Sequence, residues 1–503
     1  GSFGTLRTLA MINLPLEIPN TSSYFTGEYV NTDGYFNKNL NFNRYNLFGK
    51  IITKLSDQSN LKFSVSSFSS DWDASGQIPV RAIKQGIINR FGSIDDTEGG
   101  RTSRYNFNLE YNTRISETSW LESQIYLFKY NFKLFSNFTF FLNDPINGDQ
   151  IEQNDDRISF GYHGAYSFNN DLGSVKLKTT LGTSLRSDNM DVQLWNTKIR
   201  ERLSPKVIAD INQKNFGLYL QEELFISSLI SLEIGLRGDY FIFNVDDLLN
   251  RNNSGKESQT ILSPKANLVI SPTNDVNFFI NFGIGFHSND ARVVVTNPDQ
   301  RTLPRANGYE IGSRIKLFNK LYFTTALWML DLQNEFVFVG DEGTTEISGA
   351  TRRAGIDFGL RSQIFSWLWA DADINFSHGR FRNEPDGADN IPLAPDFTST
   401  GGLTAKLNNK LETGLRYIHI SDRPANETNS VTAQGATLFD LAASYQLGMF
   451  KLGFSIENIF DVEWNEAQFD TESRLQNEVE PVSELHFTPG FPRIFKTSIS
   501  LNF

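Results

Sequence analysis

The 503-residue sequence contains no cysteine, and no stretch approaches the roughly 18 uninterrupted apolar residues of a membrane-spanning helix. A lack of cysteine is typical of a compartment in which free thiols are oxidised. The five histidines are widely spaced and form no H-x-x-x-H or His/Cys cluster, so the sequence predicts neither a metal site nor a cofactor. The net charge of -12 argues against a nucleic-acid partner.

The chain also lacks the features that divide long proteins into domains. No linker, Pro/Ser-rich hinge or shift in composition interrupts it, although a soluble protein of this length is expected to split. We therefore predict one domain over residues 1–503. The absence of internal repeats argues against a β-propeller or a sandwich array. Phosphate-binding glycine loops, nucleophile–base motifs and a G-x-S-x-G elbow are absent too, and we predict that the chain is not an enzyme.

What the sequence does contain is regular alternation of apolar and polar residues. Thr102–Tyr111, Val175–Arg186 and Val276–Phe286 each place apolar side chains at one parity and polar or small side chains at the other. A side-chain period of two predicts β-strands. Segments of ten or more such residues are typical of a transmembrane barrel, and the 13% of aromatic residues suit its lipid-facing bands.

The breaks between the predicted strands are alternately short and long along the whole chain. The short ones are rich in Asn, Asp, Gly, Ser and Pro, as tight hairpins require. Because outer-membrane barrels have short periplasmic turns and long extracellular loops, the pattern places the C-terminus in the periplasm. The predicted long connections are Thr32–Asn41, Asp71–Gly100, Phe135–Asp155, Ser187–Asn212, Asp246–Thr260, Ser288–Leu303, Gly340–Ala350, Phe381–Pro392, Ser421–Gln434 and Asp461–Gly490.

The predicted fold class is all-β, a transmembrane antiparallel β-barrel. The breaks give about 21 strands, whereas such barrels have an even number, so we expect about 22 strands in the parent protein. Gly1–Thr5 lies on the side of the long connections, which predicts that the first strand of the parent is missing here. The last strand alternates from Phe495 to Phe503 and ends on an aromatic residue.

Several stretches resemble the C-terminal barrel domain of TonB-dependent outer-membrane transporters. Phe454–Trp464, FSIENIFDVEW, resembles the family's Asn-Leu-Phe-Asp-x-x-Tyr box, with Trp464 where Tyr is usual. The resemblance implies a barrel in the outer membrane of a Gram-negative bacterium, with a plug domain inside it and a box that engages TonB. Neither is found in this sequence, so we expect a barrel cut after its first strand. Other similar stretches are Gly235–Phe241, Leu262–Phe286, Asn307–Gly312 and Pro489–Phe495.

The resemblance also implies import of a scarce, bulky small molecule, energised through TonB. A ferric siderophore or another metal chelate is the expected solute, and cobalamin and oligosaccharides are the alternatives. The implied partners are the chain's own plug, the TonB complex, outer-membrane lipid and lipopolysaccharide. A passive outer-membrane pore is the main rival function. A barrel enzyme would need a Ser/His or Asp/His group on the outer rim.

Ligand contacts are expected on the long connections and on the upper inner wall. Arginine suits anionic ligands because its planar fork pairs with carboxylate or phosphate, and aromatic rings suit flat or sugar-like surfaces. The competing interpretation is that such arginines solvate a surface, contact the plug or bind lipopolysaccharide phosphates. The acidic stretches Asp95–Glu98 and Asp341–Glu346 lack the D-x-D-x-D-G pattern, and we interpret them as solvated loops. The candidate ligand contacts are Trp72, Arg81, Arg90, His287, Arg292, Arg301, Arg352, Arg353 and Arg380.

Overall fold

The computed structural model describes residues 1–296, 302–339 and 344–502, and only the backbone of residues 336–339 and 344–347. The helices within these ranges are α1 (Val80–Lys84), α2 (Ala291–Thr296) and one 3-10 turn (Arg251–Asn253). The strands are β1 (Leu6–Asn13), β2 (Thr21–Thr32), β3 (Phe42–Ser56), β4 (Ser59–Asp73), β5 (Ile78–Pro79), β6 (Gly99–Arg114), β7 (Ser119–Ser136), β8 (Ile151–Leu172), β9 (Val175–Lys198), β10 (Glu201–Phe225), β11 (Ile230–Asp247), β12 (Gly255–Thr273), β13 (Val276–Phe286), β14 (Arg305–Leu317), β15 (Leu321–Val339), β16 (Thr344–Phe365), β17 (Leu368–Phe381), β18 (Phe397–Lys406), β19 (Leu411–Ile420), β20 (Arg423–Pro424), β21 (Thr432–Ala433), β22 (Ala436–Leu447), β23 (Phe450–Glu457), β24 (Asn465–Ser473), β25 (Val482–Pro489) and β26 (Ile494–Leu501).

Twenty-one of these strands form one antiparallel sheet, in which each strand pairs with the next sheet strand along the chain. This confirms the predicted fold class and strand number. The sheet curves into a barrel whose first and last strands approach each other at the long-loop end, where the Ser2 N–H donates to the Phe495 carbonyl oxygen at 2.9 Å. The two edge strands, β1 and β26, both run from the end with the long connections to the end with the short turns.

The two faces of the sheet separate as the alternation predicts. Tyr105 and Phe107 of β6 and Phe278 and Ile280 of β13 are exposed on the outer face, at the parity read from the sequence. The opposite parity lines the lumen and is mostly polar. Neither helix in the described part of the chain has the length and apolar content needed to cross a membrane.

The prediction of a long loop at Ser187–Asn212 is wrong. Strands β9 and β10 pair throughout this segment and are joined by a turn at Ile199 and Arg200, with two register shifts near the turn. The outward residues there are mostly polar, so the sequence shows no apolar stripe at that parity. The inward residues Met190, Val192 and Ile211 belong to a buried apolar cluster that stabilises the extended hairpin.

Two other predicted loops are shorter than expected. The connection predicted at Asp246–Thr260 is shorter because β12 already begins at Gly255. The ladder of β15 with β16 reaches Val339 and Thr344, and residues 340–343 of the predicted Gly340–Ala350 loop lie outside the described residues.

The remaining long connections build a small layer over the barrel. β24 and β25 form a hairpin, and β5 adds to β25 as a third strand although it comes from the connection between β4 and β6. The connection between β4 and β6 and the connection between β23 and β26 are therefore held together by backbone pairing as well as by side chains.

Candidate functional site

A pocket of about 460 Å³ lies on the inner wall at the long-loop end of the barrel. One side is the wall of β7 to β10, including Tyr130, Phe132, Arg157 and Met190. The other side is the connection after β13, with Arg292 at its edge. The pocket therefore combines aromatic, apolar and cationic groups in one concave surface.

Helix α2 folds inward because the wall beneath it is apolar. Ala291 and Val294 pack into a buried cluster with Ile211, Phe241 and Phe243, and Phe243 and Val294 are almost completely buried. An apolar patch facing a water-filled lumen is unfavourable, and the helix removes it from water. This packing fixes the position of the residues just before the helix, Asn289 to Arg292, at the mouth of the pocket.

A row of three inward side chains crosses neighbouring strands at the pocket. Arg104 of β6 lies directly opposite Tyr130 of β7, and Tyr130 lies directly opposite Arg157 of β8. Directly opposite side chains in an antiparallel pair have Cβ atoms about 4.5–5.5 Å apart. Tyr130 therefore stands between two arginines on the same face of the sheet.

The arginines of the site differ in how far their charge is neutralised. Arg292 makes an ion pair with Asp290 at 2.7 Å, and Arg157 makes one with Asp155. Arg104 instead donates to the neutral Asn106 Oδ1 at 2.9 Å and lies 4.4 Å from the centre of the Phe128 ring. No carboxylate in the described part of the chain pairs with Arg104, so its positive charge is available in the lumen.

This arrangement suits an anionic ligand with flat, unsaturated groups. Guanidinium groups bind carboxylates and related oxyanions through two parallel N–H bonds. Half-buried aromatic rings that line the pocket, such as Tyr130 and Phe132, offer faces for stacking. No group of three or more His, Cys, Asp or Glu side chains in the described ranges is arranged to hold a metal ion.

Among the predicted contacts, Arg292 lies at this pocket and Trp72 lies at another. The second pocket, of about 390 Å³, is formed at the long-loop end by Trp72, Arg101, Lys133 and Arg200 with neighbouring residues. His287 begins the connection after β13, where its backbone N–H donates to the Pro304 carbonyl. The role of each as a ligand contact stays a prediction.

Arg81 is a hub between two connections that are distant in sequence. Its guanidinium donates to Glu478 at 2.8 Å, to Glu484 at 3.0 Å and to the Ser473 carbonyl at 3.0 Å, and it is 7% exposed. Burial of a charge is costly unless it is paired, and these contacts supply the pairing. Arg81 thus has few N–H groups left for a ligand.

Arg90 reinforces the same junction between connections. It donates to the Trp464 carbonyl and to Asn465 Oδ1, both at 2.6 Å, and its guanidinium lies 5.1 Å from the Phe487 ring centre. Arg81 and Arg90, which the sequence predicts as ligand contacts, therefore both join loops to one another.

A Ser/His pair, the feature that a barrel enzyme would need, occurs at this junction. Ser473 Oγ lies 2.9 Å from His486 Nε2, but both residues are fully buried and a substrate has no access to them. Burial, with the nearby charge of Arg81 adding to it, lowers the pKa of His486 to about 4. Arg81 also donates to Ser473 Oγ at 3.0 Å, so the pair serves to join the loops.

The acidic stretch Asp95–Glu98, interpreted from the sequence as solvated, contains one buried carboxyl. Glu98 is 4% exposed, and its Oε1 has no hydrogen-bond partner in the described part of the chain. Burial raises the pKa of Glu98 well above its usual value, and the charge of Asp95 raises it further. That interpretation is wrong for Glu98, because Gly76 and the connection after β7 cover it.

The remaining predicted contacts divide between the two faces of the wall. Arg353 faces the lumen and pairs with Glu335 at 2.6 Å. Arg352 and Arg380 have the parity of the exposed Leu360 and Phe376 and lie on the outer face, away from the lumen. Arg301 lies outside the described residues.

Arg104, Tyr130, Phe132 and Arg157 were not predicted as contacts from the sequence. They lie within strands, and the sequence analysis favoured the long connections. The alternation already places Arg104 on the inward face of its strand, but only the register between strands shows that it meets Tyr130 and Arg157.

Comparison with known proteins places this barrel in a family. A family model described as "TonB dependent receptor-like, beta-barrel" matches residues 13–459. The chain belongs to this family. TonB-dependent receptors are transport receptors of the Gram-negative outer membrane. No curated protein matches the sequence.

Solved structures of transporters and receptors for iron chelates and siderophores share the fold at low sequence identity. The unliganded ferric citrate transporter FecA has a TM-score of 0.82 and 14% identity, over 100% of this chain and 77% of that one. The ferric-catecholate import receptor Fiu of E. coli K12 has a TM-score of 0.78 and 16% identity, over 100% of this chain and 80% of that one. The siderophore receptor PiuA of Acinetobacter baumannii has a TM-score of 0.80 and 13% identity, over 99% of this chain and 79% of that one.

Proposed function

We propose that the chain is the barrel of an outer-membrane importer that takes up an anionic metal chelate, of the ferric siderophore class, with energy supplied through TonB. The observation that carries the proposal is the inward row Arg104–Tyr130–Arg157 beside the pocket at the long-loop end. Chelators of ferric iron bind it through anionic oxygens, which match guanidinium donors. The similar structures named for ferric citrate and ferric catecholate support the same class of solute.

In this proposal the long connections face the medium and the pocket is the first inner surface that a captured solute meets. The barrel performs no bond chemistry; its residues bind and orient the chelate. Arg104 holds an anionic group, Tyr130 and Phe132 stack against flat groups, and Arg292 closes the opposite side. Release toward the periplasm needs the plug and TonB.

The proposal includes a plug domain, a TonB box and a further strand in the parent protein. The sheet supports the strand: β1 and β26 run in the same direction, so a strand antiparallel to both fits between them. Ser2 already pairs with Phe495 of β26, and the turn at Phe3 and Gly4, with φ of 56° and 65°, leads from Ser2 into β1.

Uptake of a radiolabelled ferric chelate by cells tests the energised function. We expect uptake that requires both the full-length gene and TonB under iron limitation. Uptake that persists without TonB would support the passive pore instead. Uptake of cobalamin or an oligosaccharide, with no effect on iron, would contradict the proposed solute class.

Substitution of Arg104 tests the site itself. Since a hydrogen bond to a charged group contributes about 1.5–3 kcal/mol, Arg104→Gln should weaken binding of an anionic ferric chelate roughly tenfold or more. The matched control is Arg361→Gln, which changes a lumen arginine paired with Asp373 at the short-turn end. Equal loss of affinity in both variants would mean that general lumen charge, and not this row, attracts the ligand.

A further inference from the structure

The outer face of β14 to β17 changes from apolar to cationic over two rows of side chains. Ile311, Leu327, Ile356 and Phe376 lie directly opposite one another from strand to strand and form an apolar row. Two rows nearer the long-loop end, Asp331, Arg352 and Arg380 are likewise opposite one another. This polar row therefore lies at the upper edge of the apolar belt, on the side away from the lumen.

The charges in this row are only partly balanced. Arg352 pairs with Asp331 through two hydrogen bonds of 2.6 and 2.8 Å. Arg380 donates to the Gly379 carbonyl at 3.0 Å, and its Nε is 3.6 Å from Asp389, too far for a hydrogen bond. Arg382 is exposed, and its charge acts on Asp331.

Two arginines directly opposite each other in a sheet are destabilising unless an anion lies between them. The row also lies where the headgroups of a membrane lipid would be, with exposed apolar side chains such as Phe376 below it for acyl chains. Phosphate oxygens fit guanidinium groups in a bidentate manner.

We propose that Arg352, Arg380 and Arg382 bind the phosphate of a lipid headgroup in the outer leaflet. The proposal rests on the membrane orientation given above but not on the identity of the solute. The site is separate from the lumen, because these side chains and the pocket lie on opposite faces of the wall.

Another sector of the outer face has the opposite charge. Asp156, Asp191, Asp210 and Asp246 are directly opposite one another on β8 to β11, and all four are exposed. A lipid phosphate would approach this sector only with a divalent cation between the charges. A chelator of divalent cations should therefore remove lipid contact at the aspartate row but leave lipid contact at the arginine row.

The experiment measures retention of a bis-phosphorylated glycolipid by the native full-length protein in phosphatidylcholine nanodiscs, with EDTA present. The test variant is Arg380→Gln/Arg382→Gln, which leaves the Arg352–Asp331 pair intact. The control is Lys129→Gln, which removes a lone exposed cation from the outer face of β7, between Tyr105 and Ile158. We expect the double variant to retain the lipid roughly tenfold less and the control to be unchanged.

Three results would overturn the proposal: equal retention in all three proteins, equal binding of the dephosphorylated glycolipid, or retention that EDTA abolishes. Competition by inorganic phosphate at low concentration would assign the site to a free anion instead of a lipid. Ferric chelate uptake by the same variants distinguishes the two proposals, since loss of lipid retention with normal uptake leaves the transport function intact.

Discussion

Ile199 and Arg200, at the tip of the longest hairpin, both have left-handed backbone conformations, with φ of 53° and 65°. A β-branched residue is rarely found there, because its Cβ approaches the following carbonyl oxygen. Arg200 holds the turn in place: its guanidinium donates to the Thr97 carbonyl at 2.6 Å and to Asp73 at 2.6 Å. Contacts of one residue thus offset the strain of its neighbour.

Replacing the strained residue should stabilise the hairpin. Ile199→Gly removes the steric cost of the left-handed conformation, and we expect a gain of about 1 kcal/mol in the local opening free energy. Amide hydrogen exchange at residues 196–204 measures it. Arg200→Gly has the same backbone benefit but loses the anchoring bonds, so its exchange should become faster. Faster exchange in both variants would show that the turn is not strained.

The buried Glu98 predicts a pH dependence with a definite sign. Because its folded-state pKa is raised, the folded loop binds the proton more tightly than the unfolded one. The corresponding stability is fully present below the unfolded pKa of Glu, near 4.5, and is lost as pH rises through the raised folded value. Hydrogen exchange of residues 74–98 should therefore become faster as pH rises, after correction for the intrinsic rate.

Glu98→Gln is the matched variant for that titration. The amide keeps the shape of the neutral carboxyl and does not ionise, so the pH dependence should disappear while exchange stays slow. An unchanged pH profile in this variant would assign the titration to another group.

Among the elements, the four exposed aspartates across β8 to β11 provide a test of sheet electrostatics. Directly opposite like charges oppose pairing. Asp191→Asn should therefore stabilise this part of the barrel by roughly 0.2–1 kcal/mol, less at high salt. The measurement is the temperature at which the barrel loses its heat-resistant mobility on a gel.

Asp171→Asn is the control for Asp191→Asn. Asp171 lies on β8 directly opposite Lys176 of β9, so its neutralisation removes an attraction instead of a repulsion. We expect the opposite sign of shift, and the same sign in both variants would contradict the cross-strand explanation.

Most strands could be predicted because a lipid-facing strand shows its alternation in the sequence. The upper halves of β9 and β10 could not, since their outer face lies beyond the apolar belt and carries polar residues such as Asp191 and Asp210. Helices α1 and α2 have five and six residues, too few for a helical period to appear. Strand β5 has two residues and exists only through its pairing with β25.

For the whole molecule, three connections act as one unit above the barrel. Ala82, Phe140 and Leu475 come from different connections and pack together as a buried cluster beside Arg81. Arg81→Met should uncouple the unit, because two partly buried carboxylates, Glu478 and Glu484, lose their counter-charge. Breaking such a buried pair costs about 3–5 kcal/mol.

We expect Arg81→Met to speed hydrogen exchange both in residues 74–98 and in residues 461–490. Lys84→Met is the control, since Lys84 lies on the same short helix but is exposed. Faster exchange confined to the first segment would show that the two connections are not coupled through Arg81.

A residue of the candidate site could be predicted only where its position in the sequence already shows that it lies in a long connection. Arg292 lies in a long connection and was predicted. Arg104 and Arg157 belong to a site only because antiparallel register sets them on either side of Tyr130. Arg352 was misplaced for the same reason, because one residue of parity separates the lumen from the outer face.

The wall of the barrel is uneven in height. β10 has 25 residues and β18 and β19 have ten each, which at about 3.3 Å per residue is a difference of about 50 Å along the strands. The tall strands and the short ones lie on roughly opposite sides. The rim at the long-loop end is therefore asymmetric, with a high wall at β9 and β10 and a low wall at β18 and β19. In the proposed function, a bulky solute that approaches over the short strands therefore crosses a lower wall than one that approaches over β10.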